Sequence, residues 1–129
     1  MSLDLNDQTV FRTLLRICGP LGIGPTSSLQ AEAYFRKLLM DYAGSSPDPA
    51  FESWLKQELA SRFLTLAGTP NWLQGKEWPF VNGEPLIFAG QIDYCLDDNP
   101  VAAQLFHDDT SIYVFIGKKI PSVVIMQQM

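Results

Sequence analysis

The chain carries one histidine, His107, and Cys95 lies twelve positions before it. A thiol and an imidazole within hydrogen-bond reach make a nucleophile, because the imidazole takes the proton that activates the sulfur. Asp108 and Asp109 follow the histidine and offer the third group of a catalytic triad. The spacing neither brings Cys95 to His107 nor keeps them apart. Against this stands a plainer reading, a polar loop histidine leading into a strand at Ile112. The same stretch holds Asp93, Asp97 and Asp98, so its composition also suits a hard divalent cation. It lacks the Asp-x-Asp-x-Asp-Gly loop of an EF-hand and the His-x-x-x-His or Cys-x-x-Cys spacing of zinc sites. No metal is assigned. The carboxylates read instead as a patch that faces another protein, or as a loop that is acidic merely to stay solvated. GPLGIGP (Gly19–Pro25) has neither a Gly-x-Gly-x-x-Gly pattern nor a following Lys-Ser/Thr, and it follows a helix rather than a strand. It is a tight turn between helices, and no cofactor is expected.

The second place where side chains suit recognition is Pro70–Phe80, PNWLQGKEWPF. Trp72, Trp78 and Phe80 can stack on a flat ligand or a partner. Gln74, with Gln91 further on, can orient such a ligand in a cleft between this loop and a sheet. The alternative is structural. Prolines at 70, 79 and 85 forbid a regular helix, and aromatic rings pin an irregular segment to a sheet. In that case the indoles are anchors, and Asn71 and Gln74 satisfy backbone groups.

The elements that position these residues change character midway. Residues 1–68 read as three helices. Asn6 or Asp7 caps the first, with Val10, Phe11, Leu14, Leu15 and Cys18 at helical spacing. Ser27 and Gln30 form a capping box for the second, whose stripe is Ala31, Tyr34, Phe35, Leu38, Leu39 and Tyr42, with Gly44 at its end. Pro49 opens the third, which buries Phe51, Trp54, Leu55, Leu59, Phe63 and Leu66 and stops at Gly68. Residues 69–129 read as strands: PLIFAGQI with an irregularity at Gly90, then SIYVFIG and PSVVIMQQM as a hairpin across GKKIP. The strands do not alternate cleanly, which predicts that both faces are covered. Val123–Met126 is either an exposed edge that pairs with a second copy or a covered central strand. The expected fold is α+β, a single domain over residues 1–129, with an N-terminal three-helix segment packed on a small, mostly antiparallel sheet.

Charge narrows the partners. The 129 residues are 47% apolar and 18% charged, with a formal net charge of −5. Residues 1–68 are nearly balanced, whereas 69–129 hold seven acids against three bases, with no Lys or Arg between Lys76 and Lys118. Such a chain repels phosphate backbones, so nucleic-acid binding is not expected, and a basic protein is the matching partner. No run reaches the ~18 apolar residues of a membrane span. The first residues, MSLDLNDQTVFRTLLRICG, open with acid and do not read as a secretory signal. Cys18 and Cys95 sit in apolar contexts and read as reduced thiols, so the expected location is the cytoplasm.

Residues 70–128 also resemble a known family. Pro70-Asn71-Trp72-Leu73-Gln74, Glu77-Trp78-Pro79 and Gly83-Glu84-Pro85-Leu86-Ile87-Phe88-Ala89-Gly90-Gln91-Ile92-Asp93 look like the signature of YwqG-like bacterial proteins. Ile112–Phe115 and Val123–Gln128 resemble the strand pair that follows in that family. The resemblance brings no established activity and no catalytic residue. It implies a bacterial protein of the kind found in toxin–immunity neighbourhoods, where a small acidic protein masks a basic toxin. The functional expectation is therefore a non-enzymatic binding protein. Asp93, Asp97, Asp98, Asp108 and Asp109 supply charge, and Trp72 or Trp78 supplies an aromatic anchor. The alternatives are a small-ligand domain using Trp72, Gln74, Trp78 and Gln91, and an enzyme using Cys95 and His107.

Overall fold

Each of the three helices starts where a short polar side chain can take up the orphan N–H groups of its first turn. The computed structural model describes residues 3–44, 47–94, 109–117 and 123–128. Asp7 caps α1 (Gln8–Cys18) and accepts from the N–H groups of Thr9 and Val10. Ser28 caps α2 (Leu29–Met40) and accepts from Ala31 N–H at 3.0 Å. The expected capping box of Ser27 and Gln30 does not form: the cap falls on Ser28, whose N3 residue is Ala31, and the Ser27 hydroxyl instead donates to the Gly24 carbonyl. Asp48 caps α3 (Pro49–Arg62), with Pro49 in the first turn. A 3-10 turn, Gly19–Leu21, follows α1.

The predicted stripes are largely the buried faces, except that in α1 Leu15 is exposed and Ile17 is buried in its place. Val10, Leu14 and Cys18 of α1, Ala31, Phe35, Leu38 and Leu39 of α2, and Phe51, Leu55 and Leu59 of α3 all lie in the core. The helix ends depart from expectation. α2 stops at Met40 and α3 at Arg62, well before Gly44 and Gly68. After α3 the chain turns extended because the sheet competes for its backbone. Phe88 N–H donates to the Leu64 carbonyl and Leu66 N–H donates to the Phe88 carbonyl, a parallel bridge at Thr65. Leu66 consequently faces solvent at 68% exposure rather than joining the helix face.

The strands form two sheets. β1 (Phe80–Val81) and β2 (Glu84–Pro85) make a small hairpin. Its two turn residues, Asn82 and Gly83, both have positive φ, 53° and 77°. That is what the primed two-residue turn requires, and Asn-Gly is its strongest sequence signal. β3 (Ile87–Tyr94), β4 (Thr110–Ile116) and β5 (Val123–Gln128) form an antiparallel sheet in that order. The register slips between Phe88 and Gly90, at the expected irregularity.

Pairing sorts the residues into two faces. Phe88, Phe115 and Val123 share a row with one another, as do Gln91, Tyr113 and Ile125. This inner face meets the helices through a run of aromatic contacts. Phe35 stacks on Phe63 at 5.8 Å, Phe63 meets Trp78 edge-on at 5.3 Å, and Trp78 meets Phe115 at 5.4 Å. One core thus joins the helical and β parts of the chain. The opposite face carries Ile92, Ile112 and Met126 in one row and Val114 and Val124 in the next. Ile92, Val124 and Met126 are 49%, 60% and 56% exposed, which corrects the expectation that both faces are covered. Apolar side chains on both faces blurred the alternation even though only one face is packed.

Asp48 adds a pH dependence to the cap of α3. The Phe51 N–H, and after it the Tyr42 hydroxyl at 3.0 Å, hold its carboxyl below the ordinary Asp value. A lowered folded-state value means stability is fully present above the unfolded pKa of about 3.9 and is lost as pH falls through the folded value. Replacing Asp48 with Asn is expected to flatten the acid limb of a melting-temperature profile below about pH 4. An acid limb identical to that of the parent protein would contradict this cap.

Candidate functional site

The loop from Pro70 to Trp78 lies over the inner face of the three-stranded sheet, where its peptide groups have no ladder to join. Sheet side chains take the place of a neighbouring strand. Gln91 presents its amide to the Asn71 backbone: its Oε1 accepts the Asn71 N–H at 2.8 Å, and its Nε2 donates to the Asn71 carbonyl at 3.0 Å. The other Nε2 hydrogen goes to Asp93 Oδ1 at 2.8 Å. Tyr113 is fully buried, and its hydroxyl accepts the Leu73 N–H at 2.7 Å. That hydroxyl has one proton to give, and Asn71 O at 2.9 Å is nearer than Gln127 Oε1 at 3.3 Å. Gln127, only 1% exposed, accepts the Gln74 N–H at 2.9 Å and donates to the Gly75 carbonyl and to Glu77 Oε1. Gln74 completes the seam by donating to the Gln128 carbonyl.

The two tryptophans fix the loop to its surroundings in different ways. Trp78 is 3% exposed, and its indole N–H donates to the Leu86 carbonyl at 2.9 Å. Trp72 is half-buried. Its ring lies 4.3 Å from Tyr113 and stacks at 9° on Phe115, while its N–H reaches the Gly22 carbonyl at 2.7 Å. Gly22 is constrained twice at this junction. It has a φ of +76°, and an added Cβ would stand 2.8 Å from Pro70 Cγ and 2.9 Å from its carbonyl oxygen. The turn after α1 therefore docks against the start of the loop because a glycine stands there.

Trp72, Gln74, Trp78 and Gln91 all belong to this loop-and-sheet seam, and the indole N–H groups, the Gln91 amide and the Gln74 Nε2 bond within the protein itself. Among the described residues no buried side-chain polar atom lacks a hydrogen-bond partner. Asp93 lies at the exposed margin of this network, accepting from Gln91 and from the Ser111 hydroxyl at 2.6 Å. Asp109 directly precedes β4. Cys95, Asp97, Asp98, His107 and Asp108 lie outside the described residues. Cys18 is a free thiol in the core, and burial pushes its pKa up to about 12, so it stays protonated and unreactive at neutral pH. Among the described residues no three His, Cys, Asp or Glu side chains converge as metal ligands, and no helix is long and apolar enough to cross a membrane.

The residues that matter most here, Tyr113 and Gln127, were not singled out in the sequence. Their signal was a tyrosine within TSIYVFI and a glutamine within VVIMQQ, polar groups in mostly apolar strands. Two clefts lie away from the network. One of about 780 Å³ opens between α2, α3 and the β1–β2 hairpin beside Lys37 and Arg62. The other, about 650 Å³, lies between α1, α3 and Trp78, floored by Ile17, Leu59 and Phe63.

Compared with known proteins, the chain is matched by no family model, no curated protein and no solved structure. The likeness to YwqG-like proteins accordingly rests on the residues quoted for it.

Removing the Tyr113 hydroxyl takes away the partner that the part-buried Leu73 N–H has among the described residues. Tyr113→Phe is expected to cost about 1 kcal/mol in denaturant unfolding, the loss of a part-buried donor's hydrogen bond. A change within experimental error would show that the hydroxyl does not hold the loop.

Proposed function

We propose that the protein is a non-enzymatic binding protein that engages a basic protein surface through the Asp-rich connection between β3 and β4. The observation that supports this reading is topological. Tyr94 and Thr110 are paired, so the connection leaves and rejoins the sheet at one end. Asp93, Asp97, Asp98, Asp108 and Asp109 fall within seventeen consecutive residues that contain no Lys or Arg. Pinning both ends of the segment at one strand pair keeps these carboxylates near a common anchor, whatever path the chain takes between them. Concentrated charge of one sign raises the rate of encounter with an oppositely charged partner.

A basic cleft of the kind a nuclease-type toxin presents is the matching surface, and the resemblance to YwqG-like proteins points the same way. The role would be masking: occupation of the cleft by carboxylates of a segment anchored at both ends on the sheet. A small-ligand site between the Trp72–Phe80 loop and the sheet draws less support, because Gln74, Gln91, Trp72 and Trp78 already bond within the protein. Nucleophilic chemistry at Cys95 and His107 draws support from their residue types alone.

Titration against the basic product of the adjacent gene tests the reading. The complex is expected to form with an association rate that falls roughly tenfold or more as salt is raised. Asp97→Lys combined with Asp98→Lys should slow association by a similar factor while the melting temperature holds. Unaltered binding by the double variant, or no complex at all, counts against it.

A further inference from the structure

α3 turns one row of residues toward the cleft it shares with α1: Lys56, Leu59, Ala60 and Phe63 recur at helical spacing and line it. The floor is apolar. Ile17, Ile23, Leu59, Phe63 and Trp78 all line the cleft and all are buried. Ala60 is exposed and contributes only a methyl group, which leaves the space above that floor open. The volume of about 650 Å³ falls in the range of small-molecule pockets, ~300–1,000 Å³. The rim has the opposite sign to the chain as a whole. In a protein of net charge −5, the lining includes the exposed cations Arg16 and Lys56 and, among the described residues, no carboxylate. Arg16 is paired with Glu52, one turn before Lys56 on α3. Among the described residues Lys56 has no ion pair.

We propose that this cleft binds a small monocarboxylate with an apolar body, the body against Ile17, Leu59 and Trp78 and the carboxylate at Lys56. The apolar atoms leave water on the buried floor, and that transfer supplies most of the affinity. Charge selects the head group. Arg16 and Lys56 against Glu52 leave a single positive charge at the rim, which a monoanion matches. A phosphate monoester brings close to two negative charges and leaves one of them uncompensated. Lys56 stands six residues before the end of α3, clear of the partial negative charge at that terminus. Arg16, in the last turn of α1, offsets the same effect there. Because Lys56 is exposed, its pair with the carboxylate is screened by water, so it sets preference more than strength.

Octanoate is the probe, with neutral octanol as its comparison, titrated into the intact chain and followed by NMR. The Trp78 indole N–H and the amides of Leu59 and Ala60 should shift on one saturable curve, with a Kd between about 0.1 and 1 mM. Asn82 and Gly83, in the other cleft, and Val124, on the exposed sheet face, should not move. Octanol is expected to bind about twofold to fivefold more weakly than octanoate, and Lys56→Gln should abolish that difference. Ala60→Trp fills the cleft from an exposed helix position. It is expected to weaken both ligands roughly tenfold or more while the melting temperature of the free protein holds. No saturable shift at Trp78 by about 10 mM octanoate would overturn the proposal. So would shifts centred on Val124, octanol bound as tightly as octanoate, a preference that survives Lys56→Gln, or affinity indifferent to Ala60→Trp.

Discussion

A stretch of chain without regular structure can lie against a hydrophobic sheet only if its peptide groups find partners there. Between Asn71 and Gly75 that condition is met by three side chains of the sheet. Gln91 pairs with both backbone groups of Asn71, Tyr113 takes the Leu73 N–H, and Gln127 serves Gln74 and Gly75. The part-buried groups among these, the Leu73 and Gln74 N–H and the Gly75 carbonyl, are the ones whose loss of a partner is costly, about 1 kcal/mol or more each. The polar residues in an otherwise apolar sheet are thus the condition for the loop to lie where it does.

Much of the remaining packing follows from that placement. With the loop fixed, Trp78 sits between Phe63 and Phe115, and Trp72 lies on Tyr113 and Phe115. These rings supply the surface on which the helices close. Trp72 also reaches the Gly22 carbonyl, coupling the turn after α1 to the sheet across fifty residues of sequence. The aromatic run is a brace between two layers.

Parts of this were legible in the sequence. Helical spacing picked out most of the buried face of each helix, because a single stripe in each meets the core, though it put the exposed Leu15 and Leu66 on those faces and passed over Ile17. Gly90 marked the irregularity in β3, since a strand glycine rarely serves regular pairing. The Asn82-Gly83 turn was equally readable in hindsight from its dipeptide, yet it lay inside a stretch dominated by proline and tryptophan. Helix ends were less legible. Gly44 and Gly68 are good stop signals, but α3 ends at Arg62 because Phe88 competes for the backbone of Leu64 and Leu66, a contact set by tertiary structure. The roles of Tyr113 and Gln127 were hidden for the same reason. Nothing local distinguishes a strand glutamine that faces solvent from one that caps a distant loop.

Amide exchange at the loop tests the central claim most directly. If Tyr113, Gln127 and Gln91 hold the segment as a strand would, the amides of Asn71, Leu73 and Gln74 exchange as slowly as those in the middle of β4. Exchange of these three at the rate of an unstructured peptide, while β4 stays protected, would mean that the loop is not bound to the sheet through its backbone.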